Sequence, residues 1–229
     1  MSAVSIRDLV AGYGSTRILH GLTLEIASGE AVALFGRNGV GKSTLLRSVL
    51  GFLPARGEVT LLGSRVTGWS THRRIRLGVA YAPQERTLFA ELTVRENLSF
   101  AMRGPRSASR LAELLEIFPR LGERVQQRAG TLSGGERKML LLVRALMVRA
   151  PLVILDEIVE GVQPNLVHEF RTILARERER GTTLVLVEQN LEFALPLADR
   201  YVVMAGGRFV DDGDVDDESR GVLQRHLTL

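Results

Sequence analysis

Ala31-Val32-Ala33-Leu34-Phe35-Gly36-Arg37-Asn38-Gly39-Val40-Gly41-Lys42-Ser43-Thr44-Leu45-Leu46-Arg47-Ser48-Val49-Leu50 is the stretch that decides the fold. Its centre, Gly36 to Thr44, fits G-x-x-x-x-G-K-[ST], the pattern of a phosphate-binding loop. The apolar run at 31–35 predicts a buried strand before the loop and residues 43–50 predict a helix after it, which is the context such a loop requires. Glycines let the backbone curl with its N–H groups inward, and those donors together with the helix N-terminus cradle a polyphosphate. Lys42 adds a point charge at the β- and γ-phosphates, and Ser43 offers a hydroxyl to Mg2+. A plain Gly-rich turn is the competing reading, and lysine usage weighs against it. Of 30 basic residues only Lys42 and Lys138 are lysine. A compact ammonium at 42 in so arginine-rich a chain marks a place where a planar guanidinium does not fit.

Working outward, 229 residues with 45% hydrophobic content suffice for one large domain or a core with a smaller lobe. No apolar run approaches the ~18 residues of a bilayer span, since Met139 to Val148 is interrupted by Arg144. The first residues have no basic segment followed by an apolar core, so the expectation is a cytosolic protein without a signal peptide. Zero cysteines exclude disulfides, thiolate metal sites and cysteine catalysis. The net charge of +4 is a small excess over many charges of both signs. Arginines are frequent from Arg103 to Arg149, while Asp211, Asp212, Asp214, Asp216, Asp217 and Glu218 crowd the C-terminus. With aromatics at 5%, the pattern argues against nucleic acid and for a basic face near anionic headgroups or a partner subunit.

Val4 to Val10 and Leu22 to Ile26 alternate like strands around a turn at Ala11 to Gly14, and Gly57 to Gly63 adds another. Leu77 to Ala82 reads as a buried strand stopped by Pro83, ahead of Gln84. Thr93 and Glu96 have capping-box spacing, and Leu111, Leu114, Leu115 and Phe118 fall at helical spacing before Pro119. Residues 88–148 therefore read as helical and strand-free. Leu132-Ser133-Gly134-Gly135-Glu136 opens an apolar helix to about Arg149, and its N-terminus is a second place suited to an anion. Leu152 to Leu155 predicts a buried strand ending in Asp156-Glu157, which beside a phosphate loop points to a Mg2+ ligand and a carboxylate for water. An acidic turn capping a core strand is the alternative. Asn165 to Arg180 reads as an amphipathic helix, Thr183 to Val187 as a core strand, and Tyr201 to Val210 as a closing hairpin. The sum is an α/β fold with a mostly parallel sheet and a small antiparallel sheet.

The phosphate loop, Gln84, Leu132 to Glu136, the Asp156-Glu157 strand and Gln189 stand in an order that resembles the ATP-binding subunit of an ABC transporter over nearly the whole chain. The resemblance implies the ABC ATPase fold, a P-loop NTPase core at about 1–87 and 149–229 with an α-helical subdomain at about 88–148. It implies that Tyr13 stacks on adenine, that Gly36, Arg37, Asn38, Gly39, Val40, Gly41, Lys42, Ser43 and Thr44 bind phosphates, and that Ser43, Gln84 and Asp156 hold Mg2+. Glu157 would be the catalytic carboxylate, assisted by Gln84 and Gln189, while Ser133, Gly134 and Gly135 would meet ATP bound by an opposite subunit. Implied partners are a second ATP-binding subunit, membrane-spanning permeases and indirectly a substrate-binding protein, at the inner face of the cell membrane.

Three positions depart from the common pattern: Ile158 in place of Pro, Gln163 in place of Asp, and Gln189 in place of His. Phe118 to Leu121 and Ala129 to Glu136 look like the branch that imports branched-chain or other hydrophobic amino acids, whereas Glu160-Gly161-Val162-Gln163-Pro164 looks like its urea-uptake relatives. The leading expectation is a Mg2+-dependent ATPase driving import of such amino acids. The alternatives are a urea or short-amide importer, or a weakly hydrolysing, nucleotide-gated member of a heterodimer.

Overall fold

A computed structural model describes residues 1–84, 88–102, 104–105 and 107–228, the last by its backbone. The expected boundary at 87 and the arginine at 103 lie outside the described residues. The first part holds β1 (Ser2–Tyr13), β2 (Thr16–Ala27), β3 (Ala31–Phe35), α1 (Lys42–Leu50), β4 (Ala55–Leu61), β5 (Ser64–Arg65), α2 (Thr71–Ile75) and β6 (Val79–Ala82). The middle carries α3 (Val94–Ser99), α4 (Ser107–Ile117), α5 (Pro119–Glu123) and α6 (Gly134–Leu146). Then β7 (Leu152–Asp156), α7 (Pro164–Glu179), β8 (Thr183–Glu188) and α8 (Leu191–Ala194) alternate, and β9 (Arg200–Ala205), β10 (Arg208–Asp214) and α9 (Ser219–Thr228) close the chain.

Two sheets form among the described residues, one ordered β2-β1-β4-β5 and antiparallel, the other ordered β10-β9-β3-β8-β7-β6. In the second every pair is parallel except β10 with β9. Parallel strands covered on both faces need apolar side chains at every position, which is why β3 and β7 are buried throughout. Successive residues take opposite faces. Ala31, Ala33 and Phe35 join the core with Leu140 of α6 and Phe170 of α7. Val32 and Leu34 join the one with Leu45 of α1 and Ile6 of β1. The sheet is thus the middle of three layers.

Because β3, β8 and β7 are neighbours and parallel, with Phe35 opposite Glu188 and Asp156 opposite Val187, their carboxyl ends share one edge. Segments following those strands therefore meet in the crevice where open α/β sheets bind ligands. Arg110 of α4, 1% exposed, fastens the helical segment to the rest. It donates to Glu177 of α7 at 2.8 Å and to the Leu146 carbonyl at 3.1 Å. Among the described residues no helix is long and apolar enough to cross a membrane.

Three local expectations change. The turn expected at Ala11 to Gly14 falls at Gly14-Ser15, because β1 runs on through Gly12. A Cβ there would sit 2.0 Å from the Thr16 carbonyl oxygen, so this glycine serves a close backbone approach and a register shift within the hairpin. Pro119 does not only stop α4; it starts α5 at a first-turn position, where its missing N–H costs nothing. Among the described residues of 88–148 the elements are α3 to α6 and a short 3-10 turn at Ala129–Thr131, joined by turns, with an isolated bridge between Thr93 and Arg128, and α6 stops at Leu146, short of Arg149.

Candidate functional site

The loop after β3 lies flat against β9. A Cβ on Gly36 would fall 2.6 Å from the Met204 carbonyl oxygen, so only glycine allows that approach. Lys42 is 5% exposed, and its ammonium donates to the carbonyls of Gly36 at 2.7 Å and Arg37 at 3.1 Å. Arg37, Asn38, Gly39 and Ser43 are exposed, while Val40 is half-buried and Thr44 buried. Helix α1 opens on Gly41, with no side-chain cap and no acidic residue in its first turn. Its N–H donors and positive dipole end are therefore left for an anion.

Glu157 is where the expected residues converge. Its Oε1 lies 3.2 Å from the Lys42 ammonium and accepts from Gln189 Nε2 at 2.9 Å. Its Oε2 accepts from Gln84 Nε2, which also donates to Glu160 at 2.9 Å. Gln189 Nε2 donates in turn to Asn38 Oδ1 at 2.8 Å, closing a ring from the phosphate loop through β8 to β7. Glu157 holds φ at +49°, left-handed for a residue with a side chain, a conformation that persists only where neighbours over-determine it. Its N–H donates to the Val187 carbonyl at 2.8 Å, and its own carbonyl accepts from Lys138 at 2.6 Å. In front lies a hollow of about 410 Å³ lined by Glu157, Glu160, Gly161, Glu188, Gln189 and Asn190 among others.

Asp156 ends β7 with one oxygen accepting from the Tyr81 hydroxyl at 3.2 Å and the other, Oδ1, buried without a hydrogen-bond partner. Burial pushes its carboxyl up to about 6, against the Tyr81 bond that favours the ionised form. An orphaned buried carboxylate oxygen is what a hard cation satisfies. Ser43 and the side-chain oxygen of Gln84 are oxygen donors of the same hard kind, so the chemistry of the residues present fits Mg2+. Glu188 is raised to about 7, again by burial, against hydrogen bonds from the Val159 and Ile158 N–H groups.

The remaining expected residues lie apart from this ring. Tyr13 ends β1, 45% exposed, its hydroxyl accepting from Arg47 of α1 at 3.2 Å, so its ring is free to stack. Ser133 caps α6 in a capping box with Glu136, whose other oxygen pairs with Arg124 at 2.7 Å. The hollow beside this turn is lined by Ser133, Gly134, Gly135, Arg120 and Gln163 among others, and by no residue of the phosphate loop. Sequence reasoning missed Tyr81, Lys138, Glu160 and Glu188. The scarcity of lysine was the one signal that pointed at any of them.

Comparisons with known proteins bear on the family and the fold. Residues 19–160 match the profile of the ABC transporter family. The chain is 41% identical over 202 residues to the high-affinity branched-chain amino acid transport ATP-binding protein BraG of Pseudomonas aeruginosa, covering 86% of this chain and 87% of that one. It is 37% identical to the probable branched-chain amino acid transport ATP-binding protein LivF of Archaeoglobus fulgidus, covering 91% of each. An ATP-binding cassette of an ABC transporter, crystallised in its ADP conformation, superposes with a TM-score of 0.84 at 26% identity, over 98% of this chain and 95% of that one. With a glycine cradle, an acid-tipped core strand and this match to fold and sequence, the chain belongs to the ABC transporter family as one of its ATP-binding domains.

Proposed function

We propose that this chain hydrolyses ATP in a Mg2+-dependent reaction and that Glu157 is the general base. The convergence of Lys42, Gln84 and Gln189 on the Glu157 carboxylate carries the reading. The loop's cation and the base hold each other. A triphosphate entering the cradle takes over Lys42 and frees Glu157 to accept a proton from water as that oxygen attacks the γ-phosphorus and the bond to ADP breaks. Gln84 and Gln189 orient the water and the γ-phosphate, Tyr13 stacks on adenine, and Gly36 to Thr44 hold the phosphates. Ser43, Gln84 and Asp156 would hold Mg2+, which when bound would neutralise charge on the phosphates.

Ser133, Gly134 and Gly135 serve the ATP of a second ATP-binding subunit. Gly134 supports this: a Cβ there would meet nothing within 4 Å of its own chain, so its missing side chain leaves room for something from outside. The two subunits close on ATP and separate after hydrolysis, a core of about 1–87 and 149–229 carrying a helical lobe of about 88–148. Paired membrane-spanning permeases take up that motion at the inner face of the cell membrane, and a substrate-binding protein delivers cargo. The relatives' names favour branched-chain amino acids as the cargo over urea or short amides. An uncharged Gln189 that still bridges Asn38 and Glu157 favours hydrolysis over nucleotide gating alone.

The test is leucine uptake into cells expressing this chain with its neighbouring permeases, alongside ATPase assays of the purified chain with Mg2+ or a chelator. Uptake of leucine that excess urea does not compete supports the reading. No hydrolysis by the chain, alone or with its partner, defeats it.

A further inference from the structure

Lys138 is the second of two lysines in a chain that otherwise meets its need for positive charge with arginine, and phosphate binding accounts only for Lys42. It lies in the second turn of α6, the helix capped by Ser133. Its ammonium donates to the Glu157 carbonyl at 2.6 Å and to the Gln84 carbonyl at 3.2 Å, with the carboxylates of Glu160, Glu188, Glu157 and Asp156 around it. One nitrogen thus joins the helix behind the Ser133 turn, the segment after β6 and the end of β7.

We infer that Lys138 is a positioning residue for hydrolysis, holding the Glu157 backbone so that the aim of that carboxylate follows the placement of the Ser133 turn. The left-handed φ of Glu157 needs support on both sides of the residue. The Val187 carbonyl supports its N–H, and Lys138 supports its C=O. Without Lys138 the peptide after Glu157 is free to turn, and the carboxylate leaves the ring made with Lys42, Gln84 and Gln189. The geometry also explains why the residue is lysine. A compact ammonium turns freely to bring its donors onto both carbonyls in the space beside Glu157, whereas a guanidinium is bulkier and fixed in one plane.

The inference rests on Glu157 being the base, so the experiment compares the full chain with Glu157→Gln, Lys138→Met and Lys138→Arg. Binding stoichiometry is measured with a fluorescent ATP analogue and hydrolysis is expressed per nucleotide bound. In Lys138→Met, KM for ATP should stay within about threefold while kcat falls about 30- to 100-fold, the scale of a misplaced reacting group. Lys138→Arg should be as slow. Either Lys138 variant turning over at the wild-type rate per bound nucleotide overturns the inference, as does a rate loss that only follows the loss of binding-competent protein. If Glu157→Gln matches wild type, the assignment of Glu157 fails and takes this one with it. A rate lost in Glu157→Gln but kept in both Lys138 variants sinks this one alone.

Discussion

Lys42 Nζ stands 3.2 Å from Glu157 Oε1, with the two side chains only 5% and 6% exposed. A buried pair of this kind is a competitor for any anion that wants the lysine. Glu157→Gln should therefore do two things at once. Turnover should fall by about 10²- to 10⁴-fold, the scale of lost general-base catalysis, and ATP should bind more tightly because Lys42 no longer has a carboxylate to leave. Equilibrium binding and steady-state hydrolysis on the same preparation check both halves; weaker binding in the variant would refute the competition.

Lys42→Arg conserves charge and adds nothing unusual to a chain whose other basic residues are nearly all arginine. The ammonium sits among the Gly36 and Arg37 carbonyls inside the loop, and a planar fork needs more room. ATP affinity should drop about 10- to 100-fold, as for loss of charged hydrogen bonds. Titration with a fluorescent nucleotide decides it, and an affinity within twofold of wild type would count against a steric requirement.

Stability should depend on pH with a definite sign. Burial raises Asp156 to about 6 and Glu188 to about 7, above ordinary values of 3.8 and 4.5, so between those limits the folded chain binds more protons than the unfolded one. The ligand-free chain then loses stability as pH rises from about 4 to about 7. Glu113 acts oppositely: hydrogen bonds from Arg180 and Arg110 outweigh its burial and hold it at about 2, so its contribution is present above 4.5 and is lost as pH falls through about 2. From these three groups, thermal melts of the chain should peak near pH 4 and decline toward neutrality. Adding Mg2+ and nucleotide should flatten the decline toward neutrality, because a cation stabilises the ionised Asp156. A melting temperature that climbs steadily to pH 8 without ligand would contradict this.

The Arg110–Glu177 pair, 1% and 4% exposed and 2.8 Å apart, should behave as a unit. Arg110→Met strands a buried carboxylate, which Arg180 compensates only in part, and should cost about 3 kcal/mol, a fall of roughly 6–12 °C in Tm for a chain of this size. Arg110→Met combined with Glu177→Leu should cost less than the sum of the singles. Additive losses would mean that the pair is not coupled.

Legibility in the sequence followed how locally each feature is encoded. β3, β7 and β8 stood out because strands covered on both faces are unbroken apolar runs, and the phosphate loop because consecutive residues build it. The Thr93–Glu96 box was readable for the same reason. Helix α9 was not, since it offers only a short apolar edge, Leu223 buried and Leu227 partly buried against the core, behind a run of acidic residues. The ring around Glu157 joins residues 73 and 32 positions apart. No spacing rule reaches that far, and only the resemblance to a family brought those residues together. Tyr81, Glu160 and Glu188 escaped because strand order, not any neighbour in sequence, sets what they touch.

Strand β8 lies between β3 and β7 although it is made after both. A chain emerging from the ribosome already carries its glycine loop and both acids long before residue 183, yet the sheet that sets β3 and β7 at their final spacing needs that late strand between them. Because chain order and sheet order disagree here, the crevice is complete only in a nearly full-length molecule.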